Sequence, residues 1–345
     1  MNLSLFDYSL PAELIAQFPV RKREQSRLLV LDRATGEIQH RSFKDITEFL
    51  AAGDTLVVNN TKVFKARLIG RRATGAKVEI FLVRRRETDS ERWLALVTKS
   101  RRVKEGEMIL FDDQPPVVLE KDIGGGSWLV SFSSKTARER TVSHFGHVPL
   151  PHYIRREDQP GDIRRYQTVF ADPDRVGAVA APTAGFHFTR PLLDHLRGTG
   201  IFIAQLTLHV GPGTFKPIQT DRIEDHVVDP EYAELTAGTA GALNATRKRG
   251  GKIVAVGTTS VRTLESAPIK NGKVQPFSGM VDLYIRPGHR FKMVDHLVTN
   301  FHLPKSSLLV LVSAFAGREK ILAAYREAIN RHYRFYSYGD AMLIL

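Results

Sequence analysis

The sequence predicts an α/β protein: a discontinuous main α/β domain that carries an inserted small all-β domain. Three observations lead there. Strands alternate with helices after about residue 150, which argues for a mainly parallel sheet with helices packed on it. Between residues 61 and 149 that alternation gives way to short β-branched and aromatic runs with turn signals between them. Before those runs, DTLVVNN reads as a buried strand ending in a polar loop, so the main domain begins ahead of the insert and resumes behind it. The expected division is 1–60 and 150–345 for the main domain and 61–149 for the insert. With 345 residues, 42% of them hydrophobic, the chain has ample material for a real core.

The elements follow in order. In the insert, ARLIGRR, AKVEIFLVRR, RWLALVTKS, GEMILF, PVVLEK and SWLVSF read as strands of a small barrel or sandwich. Then GAVAAP reads as a strand, PLLDHLRGTG as a helix and IFIAQLTLHV as a strand. Further on come a helix from Thr236 to Arg249, the strand KIVAVG and the helix TSVRTLESA. Arg247 sits in a basic last turn that complements the helix dipole, and Gly250 stops the helix. Ile321, Leu322, Tyr325, Ala328 and Ile329 recur at helical spacing, and YRFYSYGDAMLIL ends in a buried strand.

Composition excludes several classes. There is no cysteine, hence no disulfide and no thiolate metal or redox site. MNLSLFDYSLPAELIAQFP lacks the basic-then-apolar order of a secretory signal, and SSLLVLVSAFAG is too short to span a bilayer. A cytoplasmic monomer without a membrane partner is expected. The pairs in HFGH (His144, His147) and the EDH triplet have no second pair at a recognised spacing, so no metal is expected.

Charge points to a polyanion. Fifty Lys and Arg face 37 Asp and Glu, a net +13. From Thr61 to Leu110 there are 14 basic and 6 acidic residues, a local excess of +8. That concentration favours a phosphate-backbone surface over a solubilising one, with Arg84, Arg85, Arg86, Arg101 and Arg102 as its candidates, joined by Arg155 further along.

The segment GAVAAPTAGFHFT, Gly177 to Thr189, is the most informative. An apolar run ends in a Pro-Thr-Ala-Gly turn, two aromatics bracket His187, and Thr189 with Pro191 starts a helix. Strand, small-residue loop and helix start is where open α/β folds place ligands, yet neither familiar phosphate-binding glycine loop is present. Thr183 and Gly185 belong to this loop. LTLHVGPGTFKP adds His209 and Gly211, VGTTSVRTLE adds Thr258, Thr259 and Arg262, and VTNFHLPKSS adds His302. IEDHVVDPEY clusters Glu224, Asp225, His226, Asp229 and Glu231, and Asp340 precedes the last strand. A lone histidine is more often a structural hydrogen-bonding group than a catalyst. Four of them in strand-end loops converge on one face of a sheet.

These blocks, with FDYSLPAELIAQFP, SRLLVLDR, DTLVVNNTKVFKARL, VPLPHYIRR and RYQTVFA, resemble the S-adenosylmethionine:tRNA ribosyltransferase-isomerase family from end to end. The resemblance implies an inserted β-barrel and a reaction that composition does not reveal. The ribosyl part of S-adenosylmethionine is transferred to 7-aminomethyl-7-deazaguanine at the tRNA wobble position and isomerised to an epoxycyclopentanediol, with adenine and methionine released. S-adenosylmethionine is consumed as a cosubstrate, and no true cofactor is implied. Such chemistry needs a base for the acidic C5′ proton, a proton for departing adenine and a deprotonated tRNA amine, all shielded from water. His187, His209, His226, His302, Glu224 and Asp340 are the candidates for these proton transfers, with His187 or His209 as the shuttle. Thr183, Gly185, Gly211, Thr258 and Thr259 suit the nucleoside, and Arg262 suits the methionine carboxylate. The chain departs from the family pattern H-x-M-H-x-E, reading HVVDPE from His226 to Glu231, so a role tied to the second histidine is in doubt or falls to Asp229. His152 and Phe186 stand where proline and leucine are usual and read as packing changes. Two other classes remain compatible with the residues: a non-catalytic tRNA-binding protein and an S-adenosylmethionine-dependent tRNA methyltransferase.

Overall fold

The computed structural model describes residues 1–86, 89–98, 102–215 and 217–345; Arg101 lies outside the described residues. After short 3₁₀ turns, β1 (Arg27–Leu31) and β2 (Ile38–Ser42) form an antiparallel pair. β3 (Thr55–Asn59) is buried along its whole length, as its unbroken apolar run predicts. The two-residue β4 (Lys62–Val63) leads into the insert.

There, β5 (Arg67–Arg71), β6 (Lys77–Arg86), β7 (Asp89–Val97), β8 (Glu107–Phe111), β9 (Gln114–Gly124) and β10 (Ser127–Ser131) pair in the order β5-β6-β7-β10-β9-β8. β8 returns to β5 through Arg71 and Leu110, which closes a six-stranded barrel. Closure decides between barrel and sandwich. Alternate residues point inward, so Leu68, Ile80, Leu82, Ala95, Leu119, Trp128 and Val130 fill the interior. At the seam a side chain on Gly70 would place Cβ 2.5 Å from Ile109 and 2.8 Å from Phe111, so only glycine lets these strands meet. α1 (Lys135–Phe145), capped by Ser134, and β11 (Gly146–His147), paired with β5, complete this part.

The chain continues through the single turn α2 (Asp162–Arg165), β12 (Val176–Ala178), α3 (Arg190–Gly198), β13 (Phe202–Leu208), β14 (Glu231–Leu235) and α4 (Ala237–Lys248). β15 (Ile253–Val256), α5 (Thr258–Ser266), the small hairpin β16 (Ile269–Lys270) and β17 (Lys273–Val274), and β18 (Phe277–Val281) follow. β19 (His296–Asn300), α6 (Ser307–Ala316), α7 (Arg318–Asn330) and β20 (Ala341–Ile344) end the chain.

Nine strands form the main sheet in the order β18-β14-β13-β3-β15-β19-β20-β1-β2, drawn from both sides of the barrel in sequence. The centre, β13-β3-β15-β19, is parallel, as is β20-β1, while the remaining pairs are antiparallel. The mainly parallel sheet expected from the alternation is therefore corrected to a mixed one. Helices separate the central strands, but β14 and β20 enter from connections that reverse their direction. Alternate residues of each central strand enter two cores: Leu29, Val57 and Ala255 pack with α4 to α7, whereas Leu28, Leu56 and Val254 pack with α3. Layers thus cover both faces.

GAVAAP is a second correction. Only Val176–Ala178 is a strand, and it pairs with β4 outside the main sheet. The cause is local: the Val179 and Ala180 N–H groups both donate to the Val210 carbonyl, so the chain crosses the end of β13 instead of running beside it. No described helix is long and apolar enough to cross a membrane.

Candidate functional site

The C-terminal ends of β13, β15 and β19 lie at one edge of the sheet, and the start of antiparallel β20 joins them there. Loops from all four meet around a small cavity of about 50 Å³, lined among others by Pro182, Thr183, Ala184, Gly257, Thr258, Thr259, Thr299, Asn300, His302 and Ser337. This is the strand-end crevice where open α/β sheets bind ligands. Thr214 and Leu308 are shared with a larger cleft of about 550 Å³, lined among others by His226, Asp229, Glu231, Arg262 and Tyr284. That volume lies within the usual range for a small-molecule site.

One hydrogen-bonded series organises the cavity. The His187 ring reaches Ser26 Oγ through Nδ1 at 2.7 Å and Asn300 Nδ2 through Nε2 at 3.2 Å. Thr183 Oγ1 donates to Asn300 Oδ1 at 2.9 Å. The sense of the series is fixed. Asn300 Nδ2 also faces the Tyr336 and Asp340 carbonyls, so it must donate, and His187 accepts at Nε2 and carries its proton on Nδ1. Burial, reinforced by Arg23 and Arg334, pushes the His187 pKa down to about 3, so the ring stays neutral. Thr183, its proton committed to Asn300, presents acceptor lone pairs to the cavity.

His302 is the cavity's own histidine. Thr299 Oγ1 lies 2.8 Å from its Nε2, while its Nδ1 has no hydrogen-bond partner among the described residues. Burial pushes its pKa down to about 3 as well. Its backbone is fixed by hydrogen bonds with the Tyr8 and Tyr325 hydroxyls. Thr258 and Thr259 begin α5 behind Gly257, whose φ of +89° lets the chain turn sharply from β15 into the helix. Thr258 and Thr259, which open that helix, line the cavity.

The cleft is built on an ion pair. Arg262, on α5, pairs through Nη1 with Glu231 Oε2, and gives Nε to the Leu283 carbonyl at 3.1 Å and Nη2 to the Val281 carbonyl at 3.3 Å. Glu231 Oε1 accepts from the Gly211 N–H at 2.6 Å and Thr214 Oγ1 at 3.0 Å. Glu231 therefore ties the Gly211–Thr214 loop to α5. His226, half-buried, packs edge-on against Tyr284 at 5.4 Å; burial lowers its pKa and Asp229 works against that shift.

The other sequence-derived candidates lie elsewhere. His209 lines neither space: its Nδ1 is 2.8 Å from Thr61 Oγ1, its ring stacks on Tyr232, and burial, then Arg175, lowers its pKa. The Glu224 carboxylate pairs with the amino-terminal ammonium, whose hydrogen bond holds its pKa down at about 2. Asp340 is buried and accepts from the Arg27 N–H (2.9 Å), Arg27 Nε (3.2 Å) and the Arg334 N–H (2.8 Å). Gly185 allows packing, since a Cβ there would lie 2.5 Å from the Phe170 ring, and Gly211 gives its N–H to Glu231. Arg84, Arg85, Arg86, Arg102 and Arg155 are exposed. Among the described residues no three His, Cys, Asp or Glu side chains cluster as metal ligands would; His147 bonds to Asp158 at 2.8 Å and His144 to the Arg140 carbonyl.

Asn300, Thr214, Thr299, Tyr153 and Ser337 escaped sequence reasoning. Asn300 stood two residues before His302 at the end of a buried strand, a position whose polar side chain must find partners.

The comparisons with known proteins agree along the full length. The family model described as queuosine biosynthesis protein matches residues 3–344. A Pelobacter propionicus protein named S-adenosylmethionine:tRNA ribosyltransferase-isomerase is 50% identical with all of both chains covered, and a Geobacter sulfurreducens protein of the same name is 48% identical over the same extent. The crystal structure of S-adenosylmethionine tRNA ribosyltransferase from Thermotoga maritima is 38% identical, covers 99% of this chain and 100% of its own, and superposes with a TM-score of 0.56. Sequence, fold and the strand-end cavity agree, and the chain belongs to the queuosine biosynthesis protein family.

Proposed function

We propose that this chain transfers the ribosyl part of S-adenosylmethionine to the aminomethyl group of 7-aminomethyl-7-deazaguanine at the tRNA wobble position. The ribosyl part is isomerised to the epoxycyclopentanediol of epoxyqueuosine, and adenine and methionine leave. One observation carries this reading: a full-length family match falls on a chain whose strand ends surround a hydroxyl-rich cavity opening beside a ligand-sized cleft.

Each step then has a group suited to it. Thr183, Thr258 and Thr259 meet ribose hydroxyls, Thr183 as acceptor. His302 and His226, the two histidines that line the spaces, exchange protons with C5′, the leaving adenine and the attacking amine. Neutral imidazoles are needed for the first and last of these, and burial keeps both rings neutral. His187 becomes a positioning residue, because both of its ring nitrogens are already bonded. Arg262 acts with Glu231 as a pair that shapes the cleft, and its outer edge faces the methionine carboxylate. Gly185 and Gly211 shape the loops, while His209, Glu224 and Asp340 fix the surrounding segments.

The same reading divides the chain at 60/61 and 149/150, supported by a distinct core that is built from residues between Phe64 and Phe145 with Val179 added. S-adenosylmethionine is consumed, so no resident cofactor is required, and a cytoplasmic monomer acting on tRNA is the setting. Arg84, Arg85, Arg86, Arg102 and Arg155 contribute cations toward the RNA.

The test is incubation with S-adenosylmethionine and tRNA carrying the precursor base. Release of adenine and methionine with formation of epoxyqueuosine is expected. Methyl label in the RNA without free methionine identifies a methyltransferase instead, and tRNA binding without adenine release identifies a binding protein.

A further inference from the structure

A second basic surface, outside the barrel, borders the cavity. Three segments distant in sequence build it: residues 17–23, 152–165 and the region of Arg334. Arg155 donates its N–H to Gln17 Oε1 at 2.7 Å, and Arg156 Nε donates to the Gln17 carbonyl at 3.0 Å. Arg23 Nη2 donates to the Arg164 carbonyl at 3.1 Å, Arg165 Nη1 donates to the Arg21 carbonyl at 3.3 Å, and Arg334 donates to the Phe18 carbonyl.

The cations fall into two sets. Arg23, Arg156, Arg165 and Arg334 are committed to carbonyls or, for Arg156, to Asp162 in a two-pronged pair at 2.6 and 2.9 Å. Arg21, Lys22, Arg155 and Arg164 are exposed, and none of the four has an ion-pair partner among the described residues. Of the acidic side chains in or next to these segments, Asp162 is paired to Arg156, and Asp158 to His147 and the Val148 N–H; Glu157, and Glu24 just beyond the first segment, remain. Between the cations stands Phe18, 52% exposed, with the Arg156 guanidinium 4.4 Å from its ring centroid.

The surface also connects to the site. Gln17 Nε2 donates to the Tyr153 carbonyl at 2.9 Å, and the Tyr153 hydroxyl meets Ser337 Oγ at 2.6 Å, both residues lining the cavity. Arg23 Nη1 binds the Phe186 carbonyl at 3.0 Å, in the loop that carries Thr183. By contrast, several barrel cations are already neutralised: Arg67 by Glu79, Arg72 by Glu107 and Arg92 by Glu120.

An exposed aromatic with unpaired cations around it is the combination by which proteins hold single-stranded RNA, the ring stacking a base and the cations tracking the phosphates. We infer that Arg21, Lys22, Arg155 and Arg164 bind the backbone of the tRNA anticodon loop, with an unstacked base on Phe18. This rests on the proposed tRNA substrate and assigns the loop to this surface of the main sheet rather than to the barrel.

The experiment measures affinity for tRNA carrying the precursor base as a function of salt. It compares the wild-type chain, a variant with Arg21→Gln, Lys22→Gln, Arg155→Gln and Arg164→Gln, the single variant Phe18→Ala, and the barrel variant Arg84→Gln, Arg85→Gln, Arg86→Gln. Thermal melting checks folding, and the shift in melting on adding S-adenosylmethionine alone checks the cavity. The fourfold variant is expected to flatten the logarithmic salt slope by about 3. Phe18→Ala is expected to weaken binding on the order of tenfold without changing that slope. Both keep the wild-type response to S-adenosylmethionine. An unchanged slope and affinity in the fourfold variant, with wild-type tRNA binding intact, overturns the inference and leaves the functional reading standing. Absence of tRNA binding by the wild-type chain overturns both.

Discussion

Where the cavity at the strand ends is organised by neutral groups in a directed hydrogen-bond series, the cleft beside it is floored by a buried ion pair. Ser26, His187, Asn300 and Thr183 carry no charge at neutral pH, and each group donates to the next from Thr183 to Ser26. Arg262 and Glu231 are both buried and charged, and each also holds backbone groups. A neutral series fixes the orientation of the Thr183 hydroxyl without adding a charge to the cavity. A buried pair fixes two segments together at low net charge, and its loss leaves an unpaired ion in a poorly hydrated place. The difference teaches that the two spaces fail in different ways.

Breaking the ion pair has the largest expected effect. Glu231→Ala strands the Arg262 guanidinium and frees the Gly211–Thr214 loop, so denaturant unfolding should report a loss of about 3–5 kcal/mol. A loss below about 1 kcal/mol would mean that water already solvates the pair. Next in size, His302→Ala and His226→Ala should each lower single-turnover rates at least about a hundredfold while leaving melting near wild type. Near-normal turnover in either removes that ring from the chemistry.

The neutral series is probed by His187→Phe. Asn300 then loses its acceptor, and stability should fall by about 1–3 kcal/mol. Turnover should fall more than S-adenosylmethionine binding, because Thr183 loses its fixed orientation. Equal losses in both would make His187 a packing residue only.

A further test is the pH dependence of stability. His187 and His302 titrate at about 3 in the folded chain and near 6.5 when unfolded, so the unfolded state binds more protons between those values. Stability is fully present above the ordinary histidine range and declines as pH falls through it toward about 3. The decline is on the order of 1 kcal/mol per histidine for each pH unit. Unfolding free energies at pH 7 and pH 5 should diverge accordingly, and His187→Phe should remove about half of that divergence. No change in the variant would place the protons elsewhere.

Much of the fold was legible because its signals are local. The six runs of the insert alternate inward and outward residues, and each became a barrel strand; DTLVVNN, with four apolar or β-branched residues in a row, became a strand buried on both sides. GAVAAP misled because small apolar residues satisfy a strand pattern equally well when they cross a strand end. Within the site, Thr183, Thr258, Thr259 and His302 were found because strand-end loops in an α/β sheet converge. Asn300 was not singled out, and Glu231 was noted only within a cluster of acidic residues, since the roles of both depend on what they hold and not on their neighbours in sequence.

The sequence by itself determined the alternating elements, the position of the insert, the basic balance and the strand-end edge at which polar loops converge, because periodicity and turn chemistry act over a few residues. Only the tertiary structure decided which titratable groups are available. Asp340 is claimed by Arg27 from the first strand, Glu224 by the chain's own amino terminus, and His187 by Ser26 and Asn300. His226 and His302 remain facing the open spaces. Hydrogen-bond partners come from segments hundreds of residues away, and burial sets protonation, so the same histidine reads alike in sequence whether it is a catalyst or a strut.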